Sequence, residues 1–160
     1  MNPLSSWSLQ RKLLAILCVG VLFGVFLGGL VFSSVQPRSL LAWRTCEQAS
    51  CLRTNELTGL VAAVGLKFAA GAIPLVVQET PYSLVLRHPL PEARVHYIII
   101  PKKDIKNIGE LSDQDQAYLL DAFALMQEII KREHLTKYIV KTNGPGYQDV
   151  AYLHFHLMAE

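Results

Sequence analysis

Hydrophobic positions recur along this chain with three different patterns, and each predicts a different element. Residues 13–35 are a 23-residue run without a charge, and only Ser33 and Ser34 interrupt its apolar and glycine character. At about 1.5 Å per residue a helix of that length reaches roughly 34 Å, enough for a bilayer core. In residues 56–70, Leu57, Leu60, Val61, Val64 and Phe68 fall three and four apart, the period of an amphipathic helix, and Gly71 and Pro74 end it. Residues 75–79, 83–87 and 95–100 are short runs rich in β-branched side chains. Pro81, Pro89, Pro91 and Pro101 bound them, and they predict strands.

Ser112 followed by Asp115 has the spacing of a capping box. Behind it Tyr118, Leu119, Ala122, Phe123, Met126, Ile129 and Ile130 form a stripe that predicts the main helix, ending near His134. Residues 137–142 predict a further strand, Asn143-Gly144-Pro145-Gly146 a turn, and residues 150–158 a last strand. Short antiparallel strands with one long helix among them make an α+β domain rather than a parallel βαβ array. No internal repeat or low-complexity tract is visible.

Composition changes this picture at one end of the chain. Of 160 residues 51% are hydrophobic and the mean hydropathy is +0.29, but much of the excess sits near the N-terminus. Residues 1–40 hold Arg11, Lys12 and Arg38 and no acid, so the rest carries 12 basic and 13 acidic side chains. A domain so near neutrality lacks the positive charge that drives nucleic-acid binding, and no nucleic-acid partner is expected.

The run at 13–35 is too long for the apolar core of a signal peptide, so an uncleaved single-pass membrane anchor is the preferred reading, with cleavage near Ser33-Ser34 the alternative. Gly20, Gly24 and Gly28 put three bare positions on one helix face, which suits helix pairing but is also ordinary in membrane helices. Cys18 reads as a small apolar residue. Arg11 and Lys12 on one side face Arg38 and Arg44 on the other, so charge leaves the orientation open. Cys46 and Cys51 would suit a small disulfide loop in an oxidising compartment or two free thiols in a reducing one; the former slightly favours an extracytoplasmic domain. The expected organisation is an N-terminal flank at 1–12, the anchor at 13–35, a linker at 36–54 and a folded domain at 55–160.

The last strand carries the sharpest chemical signal. Alternation sends Leu153, Phe155 and Leu157 to the core and Tyr152, His154 and His156 to the other, exposed face, with the two imidazoles about 7 Å apart. Two histidines need at least a third ligand to hold a metal, and neither His96 nor Asp149 completes a familiar zinc spacing, so no metal is expected. Lys102 and Lys103 read as a solvated turn, and His134 as a solvent-facing residue favoured by the helix dipole.

Three stretches read together are far more specific than any one of them. His96-Tyr97-Ile98-Ile99-Ile100-Pro101-Lys102-Lys103, Asn143-Gly144-Pro145-Gly146-Tyr147-Gln148-Asp149-Val150 and Tyr152-Leu153-His154-Phe155-His156-Leu157-Met158 resemble, in order, the histidine triad (HIT) family of nucleotide hydrolases and transferases. The resemblance covers roughly residues 64–160 and includes the approach Gly71-Ala72-Ile73-Pro74. It implies an antiparallel sheet with a long helix, usually dimerised. His154 would be the nucleophile that attacks the α-phosphate of a nucleotide to form a nucleotidyl-histidine. His156 would donate to the phosphate or leaving group, and His96 would orient the nucleophile. Asn143, Gln148, Asp149 and Tyr152 would line the substrate site. A neutral imidazole is a good nucleophile near pH 7, and dividing the displacement into two steps lowers each barrier.

The chain departs from the family pattern at three places. Tyr152 stands at the first motif histidine, Asp149 where many members carry a small hydroxyl residue, and His88 near the position of a ribose-binding aspartate. Two functions follow as expectations. One is a membrane-anchored, homodimeric nucleotide phosphohydrolase or nucleotidyl transferase; the other is a catalytically silent module that binds a nucleotide or a partner protein at the membrane.

Overall fold

The computed structural model describes residues 3–42 and 51–160. Two compact units divide at Ser34, the second running Val35–Glu160. Cys46 lies outside the described residues, and with it the expected loop to Cys51.

The first unit is one helix, α1 (Pro3–Phe32). Its segment Leu9–Phe32 is long and apolar enough to cross a membrane and has none of its length buried, a composition shared by membrane spans and signal sequences. Leu14, Ile16, Leu17, Val19 and Leu22 are all exposed, so no single face has the polar character that a globular-domain helix turns to solvent.

The second unit contains α2 (Thr54–Ala69), β1 (Val76–Glu79), β2 (Ser83–Arg87), β3 (Val95–Pro101), α3 (Gln116–Arg132), β4 (Tyr138–Lys141) and β5 (Phe155–Ala159). The strands form a single sheet in the order β1-β2-β3-β5-β4, antiparallel throughout. The α+β expectation holds, and the strand last in sequence lies between β3 and β4.

One face of the sheet is a dry core under α3. Val85 from β2, Val95, Tyr97 and Ile99 from β3, and Phe155, Leu157 and Ala159 from β5 meet Ala122, Leu125, Met126 and Ile129 of the helix. Removing each large side chain here from water contributes roughly 1.5–3 kcal/mol. Both ends of α3 are fastened. At the start the Asp115 carboxylate accepts from the Ser112 N–H and hydroxyl, each at 2.8 Å, and pairs with Lys103 Nζ at 2.6 Å. Burial alone would push the Asp115 carboxyl up, but Lys103 and the Ser112 donors outweigh it and hold it below its ordinary value. At the other end Leu135 N–H returns to Ile130 O and His134 N–H to Lys131 O, a Schellman closure. His134 occupies its left-handed position with φ 51°. Phe123 differs from expectation: it is 52% exposed, and Leu125 takes the core place.

The opposite face carries a smaller cluster in which Ala63 and Leu66 of α2 cover Leu84 and Tyr152, with Leu86, Ile100 and Val150 at its margin. Here α2 also differs from the sequence reading. Gly59, Ala63 and Leu66 are buried, while Leu57, Val61 and Phe68 of the expected stripe stay exposed. The cause is a close approach: a Cβ at Gly59 would lie 2.5 Å from Ala151 O, so the helix turns its small residues inward.

Candidate active site

Strand order builds the site. Because β5 lies beside β3 with Ile98 opposite His156 and Met158 opposite His96, the two histidines share a face one diagonal step apart. Their rings meet, His96 Nε2 to His156 Nδ1 at 3.0 Å. His88 follows β2, held by its N–H to His96 O at 2.9 Å, and its ring stacks on that of His96 with centroids 4.0 Å apart and 8° between planes. His154 immediately precedes β5, its ring edge-on to His156 at 5.0 Å.

Backbone partners fix where each proton sits. His96 Nδ1 accepts from Glu92 N–H at 3.1 Å, so in the neutral ring the proton is on Nε2 and is donated to His156 Nδ1. His156 therefore carries its own proton on Nε2. His154 Nδ1 faces Tyr152 O at 2.7 Å; a carbonyl can only accept, so Nδ1 holds the proton and Nε2 keeps a free lone pair. His88 Nδ1 accepts from Leu90 N–H at 3.1 Å.

The surroundings favour the neutral form of the two central rings, His96 and His156. Burial, followed by His154 and His96, pushes His156 down to about 4, and burial together with His88 lowers His96. His156 is thus a neutral N–H donor at pH 7. Ring nitrogens of His88, His96 and His156 lie within 4.8 Å of one another, near enough for a metal ion. The proton pattern opposes one, because in His88 and His96 a backbone N–H already occupies the unprotonated nitrogen.

The remaining residues from the sequence reading are dispersed. Gln148 is buried and donates from Nε2 to Lys106 O at 3.0 Å. Asn143 is half-buried, and the Asp149 side chain is exposed. Lys102 and Lys103 sit in ion pairs with Glu79 and Asp115, each at 2.6 Å, rather than in a free solvated turn.

Tyr152 lies on the face opposite the α3 core, as alternation requires, but that face is not exposed at this point. Only 2% of Tyr152 is accessible, and its hydroxyl donates to Pro101 O at 3.0 Å. Burial pushes the phenol well up, so it is a permanent donor. His156 is likewise buried, and regular strand starts only at Phe155. Residues 150–153 are irregular because their backbone groups bond outside the sheet, Leu153 N–H to Ile105 O and Ala151 N–H to Asn55 O.

The antiparallel α+β sheet that presents this imidazole cluster is a fold shared with known proteins. The HIT domain matches residues 73–160, and the chain belongs to this family. An uncharacterized HIT-like protein of Synechococcus elongatus is 34% identical over 86 residues, which are 52% of this chain and 75% of that one. The adenosine 5′-monophosphoramidase of Schizosaccharomyces pombe is 31% identical over 94 residues, 58% of this chain and 69% of the relative. A crystal structure of a HIT family hydrolase from Legionella pneumophila superposes with a TM-score of 0.54 at 33% identity, covering 59% of this chain and 88% of that one.

Arg38, Asn55 and Thr58, which hold residues 149–151 from outside the matched region, had no signal in the sequence. The stacking of His88 on His96 had a weak one, the eight-residue spacing between them.

Proposed function

We propose that the chain is a membrane-anchored nucleotide phosphohydrolase or nucleotidyl transferase working through a covalent nucleotidyl-His154. One observation carries this reading: the 2.7 Å contact from His154 Nδ1 to Tyr152 O, which leaves Nε2 unprotonated beside the His156 donor. In the first step the Nε2 lone pair attacks the α-phosphorus. A P–N bond forms as the bond to the leaving amine or phosphate breaks, and the leaving group takes the electron pair and a proton from water. In the second, a water oxygen attacks phosphorus and gives up a proton to the solvent hydroxide left by the first step; the P–N bond opens with its electron pair returning to Nε2, and the nucleoside monophosphate departs with His154 neutral again. His156 Nε2–H, already desolvated, stabilises charge on a phosphoryl oxygen without giving up its proton.

Relatives named as a monophosphoramidase and as a hydrolase support the substrate class, nucleotide phosphoramidates or phosphoanhydrides. Tyr152 takes the place of the first motif histidine, and its bond to Pro101 O ties the nucleophile segment to the end of β3. The anchor is α1. A homodimer is supported by β4, an edge strand with Tyr138, Ile139 and Val140 exposed, which a second copy would cover. The presence of His88 where the family pattern has a carboxylate favours the second reading, a binding module without turnover.

The test is release of nucleoside monophosphate from adenosine and guanosine phosphoramidates and dinucleoside polyphosphates by the full chain. His154→Ala should lower kcat by about 10⁴-fold or more, since no other ring on that face has a free unprotonated nitrogen. Full activity in His154→Ala refutes the mechanism. Absence of turnover in the folded wild type, with nucleotide still bound, selects the binding module.

A further inference from the structure

We propose that Arg38 is a positioning residue for the nucleophile, a clamp that fixes the backbone of residues 149–153 and through it the tautomer of His154. The inference rests on His154 being the nucleophile. Its physical content lies in a hydrogen-bond network that reaches the nucleophile segment from residues preceding the HIT match.

Arg38 is nearly sealed, its side chain 3% exposed. Nη1 donates to Ala151 O, and Nη2 donates to Asp104 Oδ1. The second Asp104 oxygen accepts Gln36 N–H at 2.8 Å, and Glu56 Oε2 approaches the guanidinium at 3.7 Å. The same short segment is gripped at three more backbone atoms. Ala151 N–H donates to Asn55 O at 2.8 Å, Thr58 Oγ1 donates to Asp149 O at 2.9 Å, and Leu153 N–H donates to Ile105 O at 2.6 Å. Tyr152 lies among these fixed points, and its carbonyl is the acceptor that holds the proton on His154 Nδ1.

Two further facts point the same way. At Gly59 a Cβ would lie 2.5 Å from both Ala151 O and Arg38 Nη1, so α2 is shaped to let the guanidinium reach that carbonyl. The family match begins at residue 73, whereas Arg38, Asn55, Thr58 and Gly59 all precede it. A buried ion pair contributes little net stability compared with an apolar replacement of the same size. What Arg38 supplies is a planar fork that fixes a carboxylate and a carbonyl in one geometry.

The experiment uses the full chain in detergent micelles with ¹⁵N-labelled histidine, reading the His154 ring nitrogens and steady-state kinetics together. In the wild type His154 should show one tautomer, protonated at Nδ1. In Arg38→Ala the ring should become a mixture of both tautomers. Its kcat should fall about 10- to 100-fold, as expected when a reacting group loses its placement. KM should stay within about threefold, because ground-state contacts are retained. Added guanidinium, but not methylammonium, should restore both readouts.

A folded Arg38→Ala chain with an unchanged His154 spectrum and kcat overturns the proposal. Should Arg38→Ala not fold, Arg38→Lys carries the same test: a lysine keeps the Asp104 pair but cannot also reach Ala151 O, so an unchanged tautomer there overturns it equally. The spectrum is independent of turnover. A wild type that hydrolyses nothing while Arg38→Lys still mixes the tautomers defeats the hydrolase reading and sustains the clamp.

Discussion

Along β3, Val95, Tyr97 and Ile99 enter one side of the sheet while His96, Ile98 and Ile100 enter the other, and β5 divides Phe155 and Leu157 from His156 in the same way. Under α3 the side chains are apolar, so their places are set by volume and shape. On the imidazole side the positions are set by hydrogen bonds whose donors and acceptors belong to the main chain at Glu92, Leu90 and Tyr152. The difference teaches where specificity is held. A packed face tolerates exchange among groups of similar size, whereas a ring whose proton is assigned by a carbonyl two residues away depends on that carbonyl staying still.

The largest effect that separates the faces comes from paired truncations. Ile99→Ala should cost about 2–5 kcal/mol of stability, as buried truncations do, with little change in kcat once folded. His156→Ala should cost about 1–3 kcal/mol, because the buried His96 N–H loses its acceptor, and in addition lower kcat by about 10²–10³-fold, the loss of one donor to the developing charge. Urea unfolding and steady-state rates on both variants decide it. Comparable kcat losses in the two folded variants would show that the faces are not distinct.

A smaller effect distinguishes them by pH. His156 has an ordinary value of 6.5 and is held near 4 in the fold. Between those values the unfolded chain binds a proton that the folded chain refuses. Stability is therefore full above pH 6.5 and falls as pH drops toward 4, by up to about 1.4 kcal/mol per pH unit for this ring. His96, lowered by burial, adds to the same trend. Unfolding measured across pH 4–7 should show a shallower slope in His156→Ala, whereas Ile99→Ala should keep the wild-type slope at lower stability; equal slopes would contradict the buried neutral ring.

The smallest expected effect lies at the end of α3. His134→Gly should raise stability by about 0.5–1 kcal/mol, because φ 51° is a conformation that glycine adopts without strain. Thermal unfolding reads it, and a loss of stability would mean that the imidazole makes an interaction of its own.

Much of the fold was legible because its signals are local. The Ser112–Asp115 cap, the strand at Ser83–Arg87 and the alternation of Leu153, Phe155 and Leu157 depend on neighbours a few residues away. The face of α2 was not, since the largest apolar side chains predict one stripe while the approach of Gly59 to Ala151 selects another. At the site, the histidines stood out as residue types, but the pairing of His96 with His156 depends on β5 lying between β3 and β4. Alternation placed Tyr152 on the correct side, and only the position of α2 shows that this side is closed there. Arg38 reaches Asp104 across 66 residues and Ala151 across 113, separations that no periodicity reports.

The central place of β5 also dictates an order of events as the chain folds. β1, β2 and β3 are consecutive in sequence and can zip as a meander, but β4 joins the sheet only through β5, whose His156 lies 60 positions downstream of His96. Closing so long a loop is entropically slow, and the pairing that completes it comes late. A half-folded chain can own β2, β3 and much of α3, yet in it His96 has no His156 to donate to. Assembly of the sheet and pairing of His96 with His156 are therefore a single event.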